Sequence, residues 1–76
     1  MKLILATKNS NGFWARQGGI TRARQDGSVS FLPREHRGDV GGLLLKQAAS
    51  RFAAEASCES IDHDVLGREY RVTRIA

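Results

Sequence analysis

An antiparallel sheet of three to five strands with one amphipathic helix packed on one face, a single α+β domain spanning residues 1–76, is the fold this chain predicts. Three observations carry it. Both ends of the chain alternate polar and apolar residues with a period of two, as strands do. Asn-Gly, Gly-Gly and Asp-Gly steps punctuate the first half, where hairpins turn. One central stretch repeats its apolar residues every three or four positions, as a helix does.

Lys2 to Lys8 reads as the first strand, with Leu3 and Leu5 on one face and Ile4 and Ala6 on the other. Asn9-Ser10-Asn11-Gly12 turns the chain, because Asn and Gly tolerate positive φ. Phe13 to Gln17 forms a second strand, in which Phe13 and Ala15 oppose Trp14 and Arg16. Phe13 shares its side with small Ala15 and is assigned to the core. Trp14 shares its side with Arg16 and is assigned to the face the helix leaves open. Ile20 to Gln25 continues as a third strand, with Gly18-Gly19 either a turn or a bulge within one longer strand. Asp26-Gly27 leads into Ser28–Leu32, and Pro33, which lacks an amide hydrogen, ends that strand.

Arg34–Gly38 is polar and reads as a connecting loop, after which Asp39 is a suitable N-cap. The helix it opens runs from Val40 to about Ser57. Leu45, Ala48, Ala49, Phe52, Ala53 and Ala56 form its apolar stripe, and Leu43 falls on the polar side between Lys46 and Gln47. Gly41-Gly42 costs about 1 kcal/mol per glycine relative to alanine, which implies a flexible first turn. Ile61–Val65 and Glu69–Ile75 then alternate around Leu66-Gly67-Arg68, as a final hairpin or as a loop and one long strand. Tyr70 and Val72 share one face there, with Arg71, Thr73 and Ile75 opposite.

A chain this short buries only about 60% of its unfolded surface, so its own core leaves stability marginal. One cysteine, Cys58, excludes an internal disulfide framework and fits a reducing compartment. The apolar run Leu3–Ala6 is too short for a signal core or a membrane span. A cytoplasmic protein away from membranes is the expectation.

Nine of the twelve cations are arginine. Residues 1–54 carry nine cations against three acids, a net of +6, and residues 55–76 carry three against five, a net of −2. Such a two-signed molecule can address both phosphates and basic protein grooves. Arg22 and Arg24 share strand parity with Ile20, and Arg16 with Trp14. Arginine grips carboxylate and phosphate through a planar fork, and a tryptophan among arginines suits an interface anchor or base stacking.

Other constellations carry less. Cys58, His63, Glu59, Asp62 and Asp64 fall short of the four Cys/His ligands of a structural zinc site, and no metal or cofactor is expected. Cys58 with His63 or His36 as base would need a water-excluding pocket, so the chain reads as non-enzymatic, with Cys58 half-buried after the helix. Gly38–Gly42 is placed like a phosphate loop but lacks a Lys-Ser/Thr step, and Asp39 repels anions.

Gly12-Phe13-Trp14-Ala15-Arg16, Thr21-Arg22-Ala23-Arg24, Gly27 and the helix at 40–56 resemble the three-stranded-sheet-plus-helix DNA-binding domains of plant transcription factors and phage integrase arms. That resemblance implies groove contacts from Arg16, Arg22 and Arg24. The chain departs from it in its preceding strand, its Asp39-Val40-Gly41-Gly42 helix start and its Tyr70–Ile75 strand. In build, a compact cysteine-poor α+β domain rich in arginine, the chain also resembles the phage-encoded anti-CRISPR proteins. That likeness implies an inhibitor acting in a phage-infected bacterial host, docked on a nucleic-acid-loaded effector complex. The residues expected to make the contacts are Trp14, Arg16, Arg22, Arg24, Arg34 and Arg37. A stand-alone DNA- or RNA-binding module and a small homodimer, using a sheet edge or Leu43, are the other expectations.

Overall fold

A computed structural model describes residues 1–76, in the order β1 (Lys2–Lys8), β2 (Trp14–Ala23), β3 (Val29–Phe31), a 3-10 turn (Arg34–His36), α1 (Val40–Ala54), β4 (Glu59–His63) and β5 (Glu69–Arg74). All five strands form one antiparallel sheet in the order β3-β2-β1-β5-β4, so the α+β architecture with one helix against one sheet stands. The first three strands meander, and the closing hairpin joins through β5 to the free side of β1. That hairpin resolves the choice left open for the last twenty residues.

β2 settles the Gly18-Gly19 alternative in favour of the bulge. Leu3 pairs with Thr21 and Leu5 with Gln17, so two steps along β1 pass four along β2. Gly18, at φ 75°, absorbs the excess in a conformation that residues with a Cβ avoid. The insertion is two residues long, so side-chain parity survives it. Thr21 and Ala23 return to the face that Ala15 and Gln17 left.

The core lies between that face and the helix. Leu3, Leu5, Ala23, Tyr70 and Val72 from the sheet meet Leu44, Leu45, Ala48, Ala49 and Phe52 from α1. Asp39 caps the helix as expected, Oδ1 accepting from the Gly42 amide at 2.9 Å. Leu44 joins the buried stripe, and Leu43 is exposed.

Several sequence expectations need correction. Phe13 is not in the core but 70% exposed, because the chain is still in the turn there and Asn9 Oδ1 accepts its amide. The helix ends at Ala54, not Ser57: Phe52 is the last side chain to reach the sheet, and Ala53 and Ala56 are exposed. Gly41-Gly42 is not a flexible start, since both residues are buried. Arg34–Gly38 is more than a polar loop, for it holds a 3-10 turn with His36 buried. Cys58 is exposed. Arg24 lies beyond the end of β2, in the turn before β3. No helix is long and apolar enough to cross a membrane.

Candidate partner-binding face

The helix covers one side of the sheet, and directly opposed residues share a side. Pairing therefore defines what the other side presents. Lys2 lies opposite Arg22, which is in turn opposite Phe31. Arg16, Ala6, Arg71 and Ile61 form a row across four strands. Trp14 and Lys8 are opposed in β2 and β1, and Glu69 and His63 in β5 and β4. Ile4, Thr73 and Glu59 complete the surface. No second layer packs on it. Ala6 is buried there because the long Arg16 and Arg71 side chains flank it in its row.

Five cations thus share this face with two acids. The cations crowd β1, β2 and β5, whereas Glu59, Glu69 and His63 lie on the β4–β5 side. Trp14 anchors the arrangement: the Arg71 guanidinium lies 4.8 Å from its ring centroid and the Lys8 ammonium 5.8 Å. Such cation–π contacts contribute about 0.5–1 kcal/mol each where exposed and hold flexible side chains in place. Glu69 is bound by Lys8 and His63, each at 3.3 Å, and those contacts, Lys8 first, pull its carboxyl below the ordinary glutamate value.

Of the six expected contact residues, the structure brings three together on this face: Trp14, Arg16 and Arg22. Arg24 sits in the β2–β3 turn, its guanidinium donating to Ser28 Oγ at 3.3 Å. Arg37 donates to the Leu32 carbonyl at 3.1 Å and lies 6.0 Å from the Phe31 ring, so it reaches the rim of the face at its β3 end. Arg34 is exposed on the 3-10 turn, away from the row. Lys2, Lys8 and Arg71 belong to the face and were missed. Strand alternation contained them, because Leu3, Leu5, Tyr70 and Val72 point inward and their neighbours must point out.

Asp62 lies opposite Tyr70 in β4, and Asp64 accepts the amides of Leu66 and Arg68, each at 2.9 Å, inside the β4–β5 turn. No group of three or more His, Cys, Asp or Glu side chains is placed to hold a metal ion. Comparison of the chain with protein-family models, with curated proteins and with solved structures finds no match.

Proposed function

We propose that this chain is a non-enzymatic binding protein that docks its open sheet face on a nucleic-acid-loaded effector complex and inhibits it, in the manner of the anti-CRISPR proteins its build resembles. The observation that supports this reading is the face itself, with Lys8, Arg16 and Arg71 around Trp14, Lys2 and Arg22 at the far end of the same two strands, and the acids on β4 and β5. A uniformly cationic surface suits bare phosphate. A surface positive on one side and acidic on the other suits a nucleoprotein, which offers phosphates beside basic protein.

The test is a target-binding assay with guide-loaded CRISPR effector complexes. The wild-type chain is expected to block target capture, and the Arg16→Glu/Arg22→Glu double variant to lose the block while keeping its circular dichroism spectrum. Trp14→Ala is expected to weaken docking by at least about 2 kcal/mol, as for an interface hot spot. The five-cation face also supports a second reading, a stand-alone nucleic-acid module. In that case naked duplex binds, with log affinity falling against log salt by about 0.9 per phosphate contact. Binding of naked duplex with that slope and no effect on any loaded complex would replace the first reading with the second.

A further inference from the structure

The sheet ends at β4, which pairs only with β5, so its other side is an open edge. Register on the paired side shows which backbone groups face outward. The Arg74 amide donates to the Cys58 carbonyl and the Asp64 amide to the Arg68 carbonyl, so the even-numbered residues of this stretch turn their backbone toward β5. The N–H and C=O groups of Glu59, Ile61 and His63 therefore point away from the chain. Their side chains stand on the face away from the helix, where Ile61 is 50% exposed.

Edge strands are ordinarily protected by lysine, proline, a bulge or a covering segment. The β3 edge has such protection: it is three residues long, runs into Pro33, and Arg37 covers its Leu32 carbonyl. β4 is five residues, Glu59-Ser60-Ile61-Asp62-His63, with no lysine, no proline and an unbroken register. Its charges do not repel a second copy of itself. In an antiparallel pair centred on Ile61, Glu59 lies opposite His63 and Ser60 opposite Asp62, each pair occurring twice. The helix-side pair gains a cation, because Arg51 donates to Ser60 Oγ at 2.6 Å, beside the place the second copy's Asp62 takes. Neither Arg51 nor Asp62 has an ion-pair partner within its own chain. Centring the pair on Ser60 or Asp62 instead would set Ile61 against Glu59 or His63 and shorten the overlap.

We propose that the chain forms a two-fold symmetric homodimer through β4, joining two five-stranded sheets into one continuous sheet. Ile61 meets Ile61 at the dyad, and the outward groups of residues 59, 61 and 63 exchange N–H···O bonds as an antiparallel ladder. The Ser57 hydroxyl donates to the Glu59 carbonyl at 3.1 Å and leaves that oxygen a second lone pair for the ladder. The axis stands perpendicular to the sheet, so the open faces of both copies lie on the same side. The row Arg16, Ala6, Arg71, Ile61 then runs on into its counterpart. A strand of five residues is well short of the about 20–30 residues a side of a standard interface, so the dimer is reversible. It stands independently of the function proposed above.

Sedimentation equilibrium from about 1 μM to 1 mM, the range a small interface requires, measures the assembly. The average mass is expected to rise toward twice the monomer mass across it. Ile61→Lys and Ile61→Glu, at an exposed position, each set like charges together at the dyad. Each is expected to weaken association about tenfold or more with an unchanged circular dichroism spectrum. An equimolar mixture of the two is expected to restore it, because a lysine then faces a glutamate. Only a pairing that brings position 61 to position 61 gives that restoration. A monomer mass at about 1 mM overturns the proposal. So does a dimer that both Ile61 variants leave intact, a dimer that Leu43→Lys abolishes instead, or a mixture that associates no better than either variant alone.

Discussion

Gly42 shows how one missing methyl group sets the junction of turn and helix. A Cβ there would collide with the His36 carbonyl, backbone that cannot move aside as a flexible side chain can, and would crowd Leu32 Cδ2 at 3.1 Å. In an ordinary helix interior, alanine is favoured over glycine by about 1 kcal/mol. Here the sign reverses. Gly42→Ala is expected to destabilise the fold by about 1–3 kcal/mol, the usual cost of overpacking, while Gln47→Ala on the exposed side of α1 stays near neutral; urea unfolding followed by circular dichroism measures both. Sequence alone shows the glycine pair and its cost to helix propensity. It cannot show the carbonyl that makes the pair necessary, because His36 reads as an exposed loop residue until the 3-10 turn buries it.

The hairpins are held by carboxylates as much as by ladders. Asp64 accepts the Arg68 and Leu66 amides and the Tyr70 hydroxyl, and Asp26 accepts the Ser28 hydroxyl and amide. These hydrogen bonds favour the ionised form, from Arg68 foremost for Asp64 and from the Ser28 hydroxyl foremost for Asp26, and put both carboxyls below the ordinary aspartate value of 3.8. Glu35 and Glu69 lie below the ordinary glutamate value of 4.5, through amide donors and Lys8 respectively. A folded-state value below the unfolded one adds stability that is present above the unfolded value and lost as pH falls through the folded one. The melting temperature is therefore expected to hold at neutral pH and to fall as the pH drops below about 4.5, and Asp64→Asn is expected to make that fall shallower. Strand periodicity and hairpin dipeptides marked β1 and β3 in the sequence to within a few residues, but left β2 as two strands or one bulged strand and the last segment as a hairpin or a loop and one strand. Pairing order was beyond them: nothing local says that β5 inserts beside β1, and that long-range choice brings Arg71 over Trp14. For the same reason the sequence placed Trp14, Arg16 and Arg22 of β2 on one face but not Lys2, Lys8 and Arg71, which pairing of the neighbouring strands adds to it.

With one helix on one side of one sheet, every fully buried side chain draws on the same apolar layer, and no second core can compensate for a defect. Leu45 is fully buried at the centre of that layer. At about 0.05–0.15 kcal/mol per residue, a domain of this length has about 4–11 kcal/mol of stability in total. Leu45→Ala costs about 2–5 kcal/mol by transfer and cavity formation, so it is expected to remove a large share of the stability and shift the urea midpoint far down. The opposite side contributes little to that core and is free to carry charge, which divides the molecule into a side that folds it and a side left to solvent. That division rests on counting within β2. Because its excess over β1 is an even number of positions, insertions or deletions between Gln17 and Thr21 are permissible only in pairs. An odd change would exchange inside for outside along half the ribbon, sending Trp14 and Arg16 under the helix or Thr21 and Ala23 into water.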